Sequence, residues 1–317
     1  MKAGKQTTLR KRATISGIGV HSGLPVTLTL NPADADSGVV FVRCGINGEP
    51  DRELHATARA VTATELATVL GDGSGVFVST VEHIMSALCG LGIDNCVVEI
   101  DGPEAPIMDG SAAAFVEAID AAGVATLNAP RRFFKVLKPV RVAKGDAYGE
   151  LTPYDGGFRV EVEIDFKHPL IGRQALAVEV EPATYRREIA RARTFGFMRD
   201  VAKLWNAGYA LGASLENTLV VSEDRILNPE GLRFPDEFVR HKTLDAIGDL
   251  ALAGAPILGA YRSVCGGHKL NHAVLEALLA DPTAWTTVTE QKRSVRRIRG
   301  QAEAPALATA AYGPDVS

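Results

Sequence analysis

Residues 112–137 read AAAFVEAIDAAGVATLNAPRRFFKVL. This stretch divides the chain in two. Its alanine-rich first part predicts a helix over residues 112–122, which Gly123 ends. The segment Asn128-Ala-Pro-Arg131 is typical of a boundary, because a new strand-like run begins at Phe133, directly after it. One structural unit therefore ends here and another begins.

Short β-rich runs and helix-like segments alternate on both sides of this boundary. The predicted strands are residues 26–30, 39–42, 96–100, 133–137 and 159–166, and the predicted helices are residues 79–88, 112–122, 182–193 and 236–252. Runs of strands with helices between them, occurring twice, predict an α+β fold. We expect two domains, residues 1–129 and 130–300, followed by a disordered tail over residues 301–317.

The composition excludes several classes of protein. The 317 residues are 46% hydrophobic and carry a formal net charge of −4, so no basic field points to nucleic acid as a partner. The 4 cysteines are too few for a disulfide scaffold, and they include no C-x-x-C pair, which argues against a cysteine zinc ribbon or a thioredoxin-type redox motif. A reducing compartment fits this pattern. We expect no secretory signal, because no apolar region follows the basic residues near the N-terminus, and the sequence has no apolar run near the roughly 20 residues that a membrane span needs. We expect a cytoplasmic protein.

His241, Asp245 and Asp249 are spaced four residues apart on the predicted helix 236–252, so they lie on one face of it. A histidine and a carboxylate one turn apart are well placed to bind a metal ion, but the same spacing also suits an ordinary pair on a solvated face. His83 is the candidate for a third ligand. The motif H-E-x-x-H is absent, so the ligands of any metal would come from distant segments.

Two further residues each allow two interpretations. Glu82 is placed next to His83, as a carboxylate base for metal-dependent hydrolysis would be. The pattern Ser79-x-x-Glu82 is also a capping box, in which Glu82 only binds backbone donors. Cys265-Gly-Gly-His268 places a histidine on a predicted flexible turn, where it suits acid–base chemistry or simply decorates the surface.

Taken together, six motifs resemble one family. In chain order they are Ser16-Gly-Ile-Gly-Val-His-Ser-Gly23, Ser79-Thr-Val-Glu-His83, Leu91-Gly-Ile-Asp-Asn95, Pro106-Ile-Met-Asp-Gly-Ser111, Ala192-Arg-Thr-Phe-Gly-Phe197 and Arg240-His-Lys-Thr-Leu-Asp-Ala-Ile-Gly-Asp249. The chain is similar over nearly its whole length to the zinc-dependent UDP-3-O-acyl-N-acetylglucosamine deacetylases of Gram-negative lipid A synthesis. The resemblance implies two similar α+β domains, each a sheet with two helices packed on it, and an active site between them.

The resemblance also implies a role for each candidate residue. The zinc ligands would be His83, His241 and Asp245, an arrangement that leaves a position open for water; iron(II) suits the same ligands. Glu82 would be the general base, and it could also cap its helix, whose positive end would help to keep it ionised. His268 would be the general acid, held in place by Asp249. Thr194 would donate a hydrogen bond to the oxyanion.

The substrate implied by the resemblance is a UDP-linked, acylated amino sugar. Lys242 would bind its diphosphate, and Asp165 and Phe166 would contact its uridine. An inserted β-α-β unit over residues 195–221 would form an apolar groove for the acyl chain. The positions that match this groove are Phe195, Val201, Ala210, Leu215 and Val220. Without the resemblance, these five would be interpreted as plain core.

The chain departs from the family pattern at two positions. Ala67 stands where some relatives have a cysteine that takes up a second, inhibitory zinc, and Cys265 stands where some have a lysine that bears on phosphate binding. We expect a monomeric amidohydrolase that can contact the inner membrane peripherally. The rivals are a zinc hydrolase of another N-acyl sugar, which would not need the apolar groove, and a binding protein with structural zinc. A structural zinc would need neither Glu82 nor His268.

Overall fold

The computed structural model describes residues 4–45 and 50–289. The expected tail, residues 301–317, lies outside this part of the chain. Among the described residues, no helix combines the length and the apolar character needed to span a membrane. The described segments form a mixed fold of helices and several sheets.

The first half is built on a five-stranded sheet with the order β2-β3-β9-β4-β5. The strands of this half are β1 (Lys5–Leu9), β2 (Ala13–Ile18), β3 (Pro25–Pro32), β4 (Val39–Arg43), β5 (Arg52–His55), β6 (Val61–Ala63), β7 (Val69–Gly71), β8 (Phe77–Val78), β9 (Cys96–Ile100) and β10 (Val124–Pro130). In the main sheet β4 and β9 are parallel and the other neighbours antiparallel. β3 shows the alternation of a half-buried strand: Val26, Leu28 and Leu30, at every second position, are buried on one face.

The second half repeats this arrangement. Its strands are β11 (Phe133–Val136), β12 (Val140–Lys144), β13 (Ala147–Thr152), β14 (Phe158–Phe166), β15 (Gly172–Glu179), β16 (Phe195–Phe197), β17 (Leu219–Val221), β18 (Ile257–Val264) and β19 (Trp285–Val288). Five of them pair in the order β12-β13-β18-β14-β15, with β14 and β18 parallel and the other neighbours antiparallel. Order and direction match the first sheet strand for strand, which confirms the predicted fold class of two similar α+β units.

The helices of the two halves meet in the middle of the molecule. They are α1 (Glu82–Leu91), α2 (Ala113–Ala122), α3 (Pro182–Thr184), α4 (Val201–Asn206), α5 (Glu237–Ala251) and α6 (His268–Ala280), with 3₁₀ turns at Ala58–Ala60 and Met198–Asp200. α2 packs on the first sheet, and α5 and α6 pack on the second. α1 and α5 pack against each other and hold equivalent places, since each precedes the central strand of its sheet. The site between the halves is built on these two helices.

Each half carries an insert between its main sheet and its first long helix. The first insert, residues 61–78, is the small antiparallel sheet β6-β7-β8. The second insert, residues 195–221, contains the parallel strands β16 and β17 with α4 between them. The expected β-α-β unit is therefore present, and its role as an acyl groove stays a prediction. β10 ends at Pro130 and β11 begins at Phe133; the division into domains 1–129 and 130–300 stays a prediction too.

The helix predicted over residues 182–193 is wrong in its second part. α3 continues only as a π-helical turn, Tyr185–Ile189. The ring of Tyr185 packs directly on Gly90 of α1, where a Cβ atom would come within 2.3 Å of Tyr185 Cγ. Beyond Ile189 the chain leaves the helix, and Arg193 pairs with Glu237 at the start of α5, with Nε 2.9 Å from Oε1.

Candidate active site

Three potential metal ligands converge where α1 and α5 meet. His83 comes from the first turn of α1, and His241 and Asp245 come from successive turns of α5. Their ligand atoms lie within 4.8 Å of one another; Asp245 Oδ1 is 3.3 Å from His241 Nε2 and 3.7 Å from His83 Nε2. All three residues are buried. The interpretation of this face of α5 as solvated is therefore wrong, because α1 covers it.

The chemistry of this cluster fits a metal ion. Asp245 Oδ1 and His83 Nδ1 are buried and have no hydrogen-bond partner among the described residues, a costly state for polar atoms that a cation relieves for the carboxylate. His241 Nδ1 lies 3.1 Å from the carbonyl oxygen of Ala192. When Nδ1 donates there, Nε2 keeps its lone pair for a metal.

The charges of the cluster also suit a metal site. Burial and the neighbouring His241 lower the pKa of His83 to about 3, and burial lowers the pKa of His241. Burial opposes ionisation of Asp245, but His241 and Lys242 outweigh it and lower the pKa of this carboxyl. Two neutral imidazoles and one carboxylate are a typical donor set of catalytic zinc sites.

Asp249 lies one turn beyond Asp245 and belongs to a different group of contacts. Its Oδ2 is 2.9 Å from His268 Nδ1 and accepts a hydrogen bond of 2.8 Å from Asn271 Nδ2. Asn271 Oδ1 in turn accepts from the hydroxyl of Tyr261 at 2.7 Å. The structure thus brings Asp249 against His268, as the resemblance implied.

His268 is the first residue of α6, so the prediction of a flexible turn there is wrong. The helix forms because Asn271, Val274, Leu275 and Leu278 are buried along one face. Burial lowers the pKa of His268, but Asp249 and Glu82 outweigh it and raise this pKa to about 10. These two carboxyl groups thus favour the imidazolium form of His268, and its Nε2 lies 3.8 Å from Glu82 Oε1.

Glu82 is the first residue of α1, and the capping-box interpretation of it is wrong. Thr80 has a left-handed φ of 58° and Ser79 forms a β-bridge with Glu104, so Ser79 does not cap α1. Burial raises the pKa of Glu82 to about 7, although His268 opposes this shift. Burial thus outweighs the expected help from the helix end. A carboxyl that titrates near neutrality suits a general base.

Thr68 contacts two residues of the candidate site, and the sequence did not predict these contacts. Its backbone N–H donates to Glu82 Oε2 at 3.0 Å, and its hydroxyl donates to Asp249 Oδ1 at 2.6 Å. Nothing in the sequence signals this contact, because Thr68 is 14 residues from Glu82 and 181 from Asp249. Asn271 was missed as well, although its spacing from His268 places both on one face of α6.

Comparison with known proteins agrees with this geometry. Residues 6–280 match the family of UDP-3-O-acyl N-acetylglycosamine deacetylases. The chain belongs to this family. The UDP-3-O-acyl-N-acetylglucosamine deacetylases of Brucella ovis and Brucella abortus (strain 2308) are each 54% identical to it over 284 residues, covering 89% of this chain and 98% of the relative. The deacetylase of Brucella melitensis biotype 2 is 53% identical over 284 residues, which again cover 89% of this chain and 98% of the relative.

In this member of the deacetylase family, an aromatic group adjoins the candidate metal ligands. The Phe195 ring centroid lies 6.4 Å from that of His241 and 5.6 Å from that of Phe166. Lys242 Nζ is 5.6 Å from the Phe195 centroid and donates to Asp245 Oδ2 at 2.8 Å. Lys242 is thus already paired with a ligand, and two of its ammonium hydrogens remain for another anion.

Thr194 is placed by its backbone. Its N–H donates to the carbonyl of Gly110 at 2.7 Å, and its own carbonyl accepts from Leu219 N–H at 2.8 Å. It stands two residues after Ala192, whose carbonyl contacts the His241 ring. The strand β16 therefore begins close to His241, a candidate metal ligand, and the role of the Thr194 hydroxyl stays a prediction.

The remaining residues expected to bind substrate differ in exposure from the buried candidate ligands. Asp165 is exposed near the end of β14. The five groove positions are all at least partly exposed, so their interpretation as plain core is wrong; they are Phe195, Val201, Ala210, Leu215 and Val220. Leu215 is 42% exposed. An apolar surface of this kind on the second insert is available to a ligand.

A cleft of about 640 Å³ opens beside the first insert. Ala67 and Phe77 of the insert line it, together with His21 and Tyr209. His21 belongs to the glycine-rich motif near the N-terminus, whose loop is held by Glu104: the carboxylate accepts from the backbone N–H of His21 at 2.9 Å. Ala67 directly precedes the buried Thr68 in the chain, so the lining of the cleft is continuous in sequence with a contact of Glu82.

Proposed function

We propose that this chain is a zinc-dependent deacetylase that hydrolyses the N-acetyl group of UDP-3-O-(3-hydroxyacyl)-N-acetylglucosamine and releases acetate, a step of lipid A biosynthesis. One observation carries the proposal: the buried cluster of His83, His241 and Asp245 lies beside an acid and a base, since His268 Nε2 is 3.8 Å from Glu82 Oε1 and 4.0 Å from Asp245 Oδ2. Membership of the deacetylase family and 54% identity to the Brucella proteins support it.

The proposed chemistry follows from the state of each residue. His83, His241 and Asp245 would hold a divalent metal ion, which would act as a Lewis acid toward the acetyl carbonyl and would lower the pKa of water. Glu82 accepts a proton from the attacking water as the new C–O bond forms. His268 donates a proton to the sugar nitrogen as the C–N bond breaks, while Asp249 holds the imidazolium in place. Thr194 would donate a hydrogen bond to the oxyanion.

Substrate binding is proposed on three groups of contacts. Lys242 would bind the diphosphate with its remaining ammonium hydrogens, and Asp165 with Phe166 would contact the uridine. The acyl chain would lie along the apolar positions of the second insert. The contact between Phe166 and Phe195 supports this layout, because it joins the proposed uridine and acyl sites beside the metal ligands.

A direct assay tests the proposal against its rivals. Purified protein is loaded with zinc or iron(II), and acetate release is measured from the UDP-sugar with and without its 3-O-acyl chain. We expect about one metal ion per chain and strong preference for the acylated substrate. Equal turnover of both would favour a hydrolase of another N-acyl sugar, and metal binding without turnover would favour a binding protein.

We further propose that the enzyme works as a monomer in the cytoplasm, with at most peripheral contact to the inner membrane. The four cysteines are free thiols in the structure, which supports a reducing compartment. Light scattering of the purified protein tests the oligomeric state, and flotation with lipid vesicles tests membrane contact.

A further inference from the structure

We propose that Thr68 is a positioning residue that holds the base and the acid of this site in register. The inference rests on the proposed function. Its basis is one contact pattern: a single residue of the first insert donates to Glu82 of the first half and to Asp249 of the second. Thr68 is 1% exposed, so bulk water does not compete for these bonds.

The amide of Thr68 selects which oxygen of Glu82 faces the reaction. Oε2 accepts the Thr68 N–H at 3.0 Å, and Oε1 lies 3.8 Å from His268 Nε2. The carbonyl of Thr68 accepts a hydrogen bond from Val81 N–H at 3.3 Å. Both the N–H and the carbonyl of Thr68 are therefore bonded to residues at the start of α1. Rotation of the Glu82 carboxylate would break the first of these bonds.

The hydroxyl of Thr68 completes the bonding of Asp249. This carboxylate is buried, and its Oδ2 serves His268 and Asn271. Oδ1 is bonded by the Thr68 hydroxyl at 2.6 Å. With both oxygens occupied, the carboxylate has one orientation, and the His268 ring that it holds has one as well. Thr68 thereby acts through Asp249 on the general acid.

Two substitutions separate the hydroxyl from the shape of the side chain. Thr68→Val keeps the backbone amide and the branched shape but removes the hydroxyl, whereas Thr68→Ser keeps the hydroxyl. We expect Thr68→Val to lower kcat about 10- to 100-fold, the usual effect of losing such a supporting bond. KM and metal stoichiometry should stay at wild-type values, and Thr68→Ser should restore most of kcat. Thr14→Val, at an exposed position of β2, is the matched control.

A double-mutant cycle with Asp249→Asn decides whether Thr68 acts through Asp249. When Asp249→Asn is already present, Thr68→Val should add little to the loss. Losses that multiply, equal kcat for the Val and Ser variants, or a change confined to KM would each overturn the proposal. If Thr68→Val does not fold, Thr68→Ala removes the same hydroxyl. A wild-type protein without deacetylase activity would overturn the proposed function itself, whereas active wild type with an equally active Thr68→Val would overturn this inference alone.

Discussion

The two halves place equivalent helices beside the site and use them differently. α1 contributes Glu82 and His83 from its first turn. α5 contributes His241, Asp245 and Asp249 along its middle and end, and α6 of the same half adds His268 at its start. The first half therefore supplies the proposed base and one potential ligand, and the second supplies the proposed acid and the other two potential ligands.

This difference separates the role of the scaffold from that of the side chains. α1 and α5 pack against each other, and each directly precedes the central strand of its own sheet in the chain, so the repeated fold supplies two equivalent helices at one meeting point. The two helices then differ in the positions of their acidic and histidine side chains, and these positions determine which role each half has in the proposed reaction. The inserts differ in the same way: the first donates hydrogen bonds through Thr68, and the second presents rings such as Phe195 to the ligands. A symmetric frame thus carries an asymmetric site.

The largest expected effect comes from removing a ligand of the second half. His241→Ala should abolish metal binding, and kcat should fall by about 10³-fold or more, since the metal is worth several kcal/mol of transition-state stabilisation. Metal content by atomic spectroscopy and kcat on the acylated substrate check this. His55→Ala, at an exposed histidine, is the control. Full metal occupancy in His241→Ala would exclude His241 as a ligand.

Substituting Glu82, the proposed base of the first half, and His268, the proposed acid of the second, should change opposite limbs of the pH–rate profile. Glu82→Gln and His268→Gln should each lower kcat about 10²- to 10⁴-fold with metal retained, the range for a positioned base or acid. Glu82 must be ionised and His268 protonated, so the wild-type profile is a bell. Glu82→Gln should chiefly remove the acidic limb and His268→Gln the basic limb.

The positions of the limbs follow from the two pKa values. The pKa of Glu82 near 7 places the acidic limb at or below that pH, and the pKa of His268 near 10 places the basic limb at or below that pH. A bound cation stabilises the carboxylate and disfavours the imidazolium, so loading the metal lowers both values. A Glu82→Gln enzyme that folds, binds metal and turns over near the wild-type rate would contradict the proposed role of Glu82 as general base.

The sequence predicted the two-part fold and most of the elements that build the site. Spacing on one helix was enough to put His241, Asp245 and Asp249 on one face, because helical periodicity is a local property. Sequence spacing alone did not assign His83 to the same site. Its part came from the family resemblance, and the structure then placed it within reach of the other two.

What escaped the sequence depends on long-range contacts. The helix predicted to reach Arg193 ends early, where the chain turns to the buried pair with Glu237. Thr68 reaches Glu82 and Asp249 only because the first insert folds back over the meeting point of α1 and α5. The spacing of Val274, Leu275 and Leu278 is typical of a helix, so α6 could have been predicted, but the glycines before His268 favoured a turn. Burial, which sets the pKa of Glu82, is likewise a property of the packed halves.

The buried ion pair of the second half should matter more to stability than the surface pairs. Arg193→Leu leaves Glu237, which is 0% exposed, without its main partner, and breaking such a pair costs about 3–5 kcal/mol. Urea unfolding measures this cost. Arg186→Leu breaks an exposed pair with Asp120 and should cost about 1 kcal/mol or less. A similar loss for both variants would contradict the larger contribution expected from the buried Arg193 pair.

The smallest expected effect tests the difference between the two inserts. Leu215 of the second insert is 42% exposed, so an aspartate there stays hydrated in the free enzyme, and its cost falls on the bound acyl chain. Losing one apolar contact of this size is worth about 1.5–3 kcal/mol. Leu215→Asp should therefore raise KM for the acylated substrate about 10- to 100-fold. kcat, metal content and unfolding should not change.

Two comparisons show whether this loss belongs to the acyl chain. The UDP-sugar without its acyl chain should bind the wild type and Leu215→Asp equally, because the proposed groove is then empty in both. Leu137→Asp, at a leucine that is 47% exposed outside both inserts, should leave KM unchanged. Leu66 of the first insert is exposed to a similar degree, at 50%. If Leu66→Asp raises KM for the acylated substrate and Leu215→Asp does not, the acyl chain lies against the first insert, and the roles assigned here to the two inserts are reversed.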